Sequence, residues 1–144
     1  KAVAPSFAIE VAAAPVRDRS ELEPVIAAHA RERGGGGMMV MPDGFMFAFQ
    51  ADVIALAARY RIPATYFFRS FPEQGGLLSY ANEIVDNYRR AAAYAHRIIN
   101  GEKPSALPVQ SPVKFELVIN RKTASGLGLE VPPALLARAD AVID

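Results

Sequence analysis

The sequence predicts an α/β fold: three layers, with a mostly parallel sheet carrying helices on both faces. Three observations lead there. Short apolar runs alternate with segments of helical spacing through the first half of the chain. The runs are continuous in apolar character, as strands covered on both faces are. Prolines and glycines punctuate the boundaries, where the chain has to turn.

Taken in order, "AIEVAAAPV" from Ala8 to Val16 is short, apolar and closed by Pro15, which suits a first buried strand. Ser20 with Glu23 three residues on has the capping-box pattern, and Leu22, Val25, Ile26 and His29 then share a helical face. A helix from Glu21 to Glu32 follows, ended by Gly34 to Gly37. "MMVMPD" is a second strand, closed by Pro42 and Asp43. Phe49, Val53, Leu56, Ala57 and Tyr60 recur at helical spacing, and Pro63 stops that helix near Arg61. "ATYFFRSF" is aromatic and β-branched, which makes it the third strand.

The second half is less regular. "GGLLSY" is a short extended piece, and "NEIVDNYRRAAAYAHRIING" is a strong helix capped by Asn82 and ended by Gly101. Its stripe of Ile84, Tyr88, Ala91, Ala95 and Ile98 needs a cover. Pro104, Pro108 and Pro112 make the next stretch a stiff, extended connection. "VKFELVIN" alternates, with Phe115, Leu117 and Ile119 on one face, and reads as a strand with a more exposed side. A short helix ended by glycine, a turn at Pro132 and Pro133 and a last helix from Ala134 complete the chain.

Composition narrows the functions. The 144 residues are 51% hydrophobic and 22% charged, which suits one domain with a real core. Sixteen basic and fifteen acidic residues in mixed order give a net charge of +1 and no footprint for nucleic acid. Cysteine is absent, so disulfides and thiolate chemistry are excluded. Charged residues interrupt every apolar run before the roughly 18 residues that a membrane span needs. The two histidines, His29 and His96, lie far apart with no pattern of metal ligands around them.

Motifs of catalysis fare no better. The glycine run precedes a strand and lacks the Lys-Ser/Thr of a phosphate cradle, and "SPVK" enters a strand where an acyl-enzyme serine would open a helix. No nucleophile and base are identifiable, so an enzyme is not expected and no cofactor is implied. In open α/β sheets ligands bind beyond the carboxyl ends of the strands. Here that edge comprises the loops Arg17 to Arg19, Pro42 to Phe47 and Arg69 to Gly76. Aromatic residues gather beside the two later loops. Phe45, Phe71 and Tyr80 are expected to wall a pocket for a flat or apolar ligand. Asp43 or Arg69 would hold a charged end, Asp43 serving otherwise as a helix cap. Gly76 would offer exposed backbone, a turn before a crossing strand being an equally good reason for the glycine.

The ordered set "GGLLSY", "YRRAA", "GEKPSALPV", "KFELVINRKTA" and "LLARAD" resembles the carboxyl-terminal part of bacterial ABC-transporter substrate-binding proteins, of the group that includes tryptophan and tyrosine binders. The resemblance runs from about residue 8 to residue 144. It implies one lobe of a type I periplasmic-binding-protein fold, whose two lobes close about a hinge on a small ligand and present it to a membrane permease in the periplasm. An amino-terminal lobe of about equal size, and a strand before Lys1, are expected in a usual member and are not in this chain. By the same analogy residues 1–75 form the α/β ligand-binding lobe. Residues 76–112 hold a hinge crossing, a helix and a return linker that would pack on the other lobe, and residues 113–144 rejoin the first. Ser79 and Tyr80 approach the hinge, and with Asp43, Phe45, Arg69, Phe71 and Gly76 they complete the expected ligand set. The ligand would be an aromatic amino acid or a related acid, and an Arg69→Ala change would weaken an anionic one. A signalling or ligand-sensing α/β module is the alternative, and a small hydrolase a more distant one. Physics adds that the stripe on Glu83 to Asn100, left without its lobe, would draw a second copy into a homodimer.

Overall fold

The computed structural model describes residues 4–31 and 36–144. Five strands form one sheet in the order β1-β2-β3-β4-β5: β1 Met38–Met39, β2 Ala64–Tyr66, β3 Leu78–Asn82, β4 Phe115–Asn120 and β5 Ala141–Ile143. All neighbours are parallel except β3 and β4, which run antiparallel in register from Leu78 opposite Ile119 to Asn82 opposite Phe115. Val118, Ile119 and Asn120 are consecutive and all buried. Successive strand residues point to opposite faces, so both faces of the sheet are covered there. The predicted α/β class and mostly parallel sheet are what the chain forms.

Helix α1 (Arg19–Arg31) buries Leu22, Ile26 and Ala27. Its cap is not Ser20. Asp18 Oδ1 accepts from the Ser20 amide at 2.8 Å, and Glu21 reaches back to the Arg17 amide at 2.8 Å, so the reciprocal box sits two residues earlier than the sequence suggests. Glu23 is thereby free to face α3 (Gln50–Arg59), where it accepts from Arg59 Nη1 at 2.6 Å and from the Tyr60 hydroxyl at 2.9 Å. Arg19 pairs with Asp52 at 2.8 Å on the same side. The predicted end of α1 at Glu32, and Gly34 and Gly35 of the glycine run, lie outside the described residues, as do Lys1 to Val3.

The core gathers between α1, α3 and the sheet. Leu22, Val53, Ile54, Ala57, Tyr66 and Phe71 form its buried cluster. Tyr66 and Phe71 stack with centroids 4.7 Å apart and ring planes 17° apart.

Besides the Ser20 cap, five expectations need correction. Asn82 does not cap the helix that follows it: it is the last residue of β3, and the N-cap is Glu83, with no side-chain cap hydrogen bond. Ala8 to Val16 is no strand: apart from a turn at Ala8 it carries no regular structure, and Ile9 and Val11 are more than half exposed. A strand needs a neighbour to take its backbone hydrogen bonds, and among the described residues this segment pairs with no strand. "ATYFFRSF" stays extended only through Tyr66, because α4 (Ser70–Glu73) turns Phe71 inward. The last helix is a single turn, α7 (Pro133–Leu136), and "AVI" beyond it becomes the edge strand β5 beside β4. Burial in β4 follows position along the strand and not the alternation of its faces, since Phe115 is exposed while the last three residues are buried. By contrast α6 (Arg121–Leu127) ends as glycine chemistry requires, with Gly128 in the left-handed region at φ 75°.

Helix α5 (Ile84–Ile99) stands apart, for none of its sixteen residues is buried. It belongs to an excursion. β3 and β4 are antiparallel neighbours that a tight hairpin could join, yet the chain leaves the sheet after Asn82, runs through α5 and an extended segment, and returns at Phe115. Tyr94 donates to the Pro108 carbonyl at 2.6 Å, which lays the returning segment along the helix.

Candidate functional site

An open groove of about 780 Å³ lies at the carboxyl ends of β1, β2 and β3, where a doubly wound sheet offers its ligand site. Pro42 to Gly44 follow β1, Phe67 to Ser70 follow β2, and Ser79, Ala81 and Asn82 come from β3 itself. The amino-terminal turn of α5 and Glu116 of β4 close the far side. A second hollow continues along Tyr80, Phe115, Tyr88 and Ala91.

Of the residues expected from the sequence, Asp43, Arg69, Ser79 and Tyr80 line this space. Asp43 caps α2 (Gly44–Ala48), its Oδ1 accepting from the Phe45 amide at 2.6 Å. Tyr80 is 63% exposed and stacks on Phe115 at 5.7 Å with 20° between the planes. Arg69 is not a free guanidinium. It donates to Glu73 at 2.8 Å and also to Glu116, which ties α4 to β4. Its pKa is raised, first by the Glu73 hydrogen bond.

The other three stand elsewhere. Phe71 is 0% exposed and belongs to the core, so it walls no pocket. Phe45 packs against that core and meets Phe49 at 4.7 Å. Gly76 is buried, and a Cβ there would come within 2.9 Å of the Phe71 carbonyl oxygen and 2.7 Å of the Tyr66 ring. Close packing is reason enough for the glycine.

Sequence reasoning did not single out Phe115 and Glu116 as groove residues. They are far from the loops in sequence, and only the antiparallel pairing of β3 with β4 brings them to the site. Phe47 and Phe68, also beside the later loops, meet edge to face at 5.4 Å on the rim. Glu83 Oε2 pairs with Lys114 Nζ at 2.6 Å, and that hydrogen bond raises the lysine pKa. Among the described residues no cluster of His, Cys, Asp or Glu is suited to a metal, and no helix is long and apolar enough to cross a membrane.

The family of ABC transporter substrate binding proteins matches residues 1–143. This chain belongs to that family. Its fold agrees with solved relatives. A conserved domain protein from Vibrio cholerae superposes with a TM-score of 0.83 at 25% identity, over 96% of this chain and 46% of that one. The ABC domain of a Streptococcus pneumoniae protein, solved with L-Trp, gives 0.87 at 23% identity, over 99% and 49%. A ligand-free, open substrate-binding protein with adhesive properties from Clostridium difficile gives 0.67 at 19%, over 99% and 47%. No curated protein sequence matches. The chain spans about half the length of the solved structures it resembles.

Proposed function

We propose that this chain is the solute-binding lobe of an ABC import system. It takes a small molecule, an aromatic amino acid or a related acid, in the groove above β1 to β3. The exposed first turns of α5 border the groove through Ile84, Val85 and Tyr88, and that observation carries the reading: a site walled on one side and bordered by an unburied amphipathic helix is half of a cleft. A second α/β lobe would close the other half, with the paired segments entering and leaving β3 and β4 as crossings of the hinge. Ligand bridging both lobes would favour the closed state without covalent chemistry. The periplasm and a membrane permease follow as compartment and partner, and no catalytic step belongs to this role.

L-Trp is the ligand of the S. pneumoniae relative, and its extension to this chain is part of the proposal. Where no second lobe accompanies the chain, a second copy takes the face of α5 in a homodimer through Glu83 to Asn100. The test is a thermal-shift screen of the amino acids and of aromatic acids, followed by calorimetry on any compound that raises the melting temperature. An aromatic compound should bind and a Tyr80→Ala chain should bind it more weakly. Stabilisation by sugars or aliphatic acids alone would overturn the assignment.

A further inference from the structure

The apolar stripe of α5 has a regular spacing. Ile84, Tyr88, Ala91, Ala95 and Ile98 follow one another at steps of four, three, four and three residues, which is the seam along which one helix packs lengthwise on another. All five are exposed. Ala91, Ala92, Ala93 and Ala95 keep the middle of this face small, so a second backbone can come close, while Ile84, Tyr88 and Ile98 stand toward its ends.

The seam is complementary to itself when two copies run antiparallel. With Ala91 on the two-fold axis, Ile84 of one copy meets Ile98 of the other, Tyr88 meets Ala95, and Ala91 meets its own counterpart. Every position of the stripe is matched, and each tyrosine ring falls on a small residue. Antiparallel packing also sets the positive end of each helix dipole by the negative end of the other. A parallel pair would bring like ends together and set Tyr88 against Tyr88.

One end of this seam is also a wall of the groove, since Ile84, Val85 and Tyr88 line it. Whatever packs on Ile84 therefore stands at the groove's open side.

We infer that two copies pair through an antiparallel α5 seam centred on Ala91, and that each copy supplies Ile98 to the border of the other's groove. This rests on the homodimer of the proposed function and deepens it: the axis is fixed, and the groove of a single chain is incomplete without the second copy.

The chain has no cysteine, so single introduced cysteines report the pairing by disulfide formation under mild oxidation. Ala91→Cys should form a covalent dimer at least about tenfold faster than Arg89→Cys, which lies on the opposite side of the helix, out of bridging range. Ile84→Cys and Ile98→Cys should each stay monomeric on denaturing gels, yet cross-link to one another when mixed before oxidation. A rate for Ala91→Cys no greater than for Arg89→Cys would overturn the inference, as would self-cross-linking of Ile84→Cys as fast as the mixture. No ligand enters this experiment, so solute binding stands or falls separately, by the thermal-shift screen.

Discussion

The Glu83 amide donates to the Lys114 carbonyl at 2.9 Å, and the two side chains pair at 2.6 Å. The point where the chain leaves the sheet is therefore fastened to the point where it returns. This extends the β3–β4 ladder by one step beyond Asn82 and Phe115, and it sets the direction in which α5 departs.

Breaking the side-chain half of that fastening should cost little global stability. Lys114 is 64% exposed, and ion pairs in such solvent-screened positions contribute little. Lys114→Ala is expected to leave the urea midpoint almost unchanged while speeding hydrogen exchange at the Glu83 amide. A large fall in the midpoint would show that the pair organises the whole sheet.

Asn120 should matter far more. It is 5% exposed, donates from Nδ2 to the Pro72 carbonyl and accepts on Oδ1 from the Thr123 amide, both at 2.8 Å. It thus caps α6 and grips the end of α4 at once. Asn120→Ala leaves buried groups unpartnered, and a loss of about 1–3 kcal/mol is expected by urea unfolding. Asn120→Asp, which keeps the cap acceptor and removes the donor, should fall between the two.

Phe71 separates core from pocket. A phenylalanine that walls a ligand site can be truncated at small cost to stability, whereas this one is fully buried against Tyr66 and Phe67. Phe71→Ala is expected to lower stability by about 3–5 kcal/mol. Tyr80→Ala, at an exposed position, should leave the melting temperature nearly unaltered.

The stripe on α5 sets the state of assembly. Ile84, Tyr88 and Ile98 lie on one side of the helix at 38, 76 and 41% exposure, with Ala91 and Ala95 between them. Covering an aliphatic or aromatic side chain fully contributes roughly 1.5–3 kcal/mol. Sedimentation of the chain alone is expected to show a dimer at micromolar concentration, and Ala91→Glu should return it to monomer. A clean monomer in the unaltered chain would remove self-association through this face.

Acid should loosen α1 first at its amino terminus. The Asp18 carboxyl is held below its ordinary value of 3.8, chiefly by the Ser20 hydroxyl. A depressed folded-state pKa means stability that is present above the unfolded value and lost as pH falls through the folded one. The difference in melting temperature between the chain and Asp18→Ala should therefore narrow once the pH drops below 3.8. A gap that persists in strong acid would mean the ionised cap is not what matters.

Much of this was legible along the chain because it depends on neighbours in sequence. Periodicity placed α1, α3 and α5; Asp43 reads as a cap and is one; Gly128 ends α6 because only a few residues away the helix needs a left-handed turn. The sheet class followed from the same local runs of apolar residues. Tertiary structure decided the rest, since strands exist only where partners do. It denied one to Ala8 to Val16, granted one to Ala141–Ile143 beside β4, and moved Phe71 from an expected pocket wall to the core through a single turn of helix. It also carried Phe115 and Glu116 to the groove by antiparallel pairing, and let Glu116 and Glu73 engage Arg69. Local chemistry determines which segments can turn, coil or extend; which charges remain open to a ligand is set only when distant segments meet.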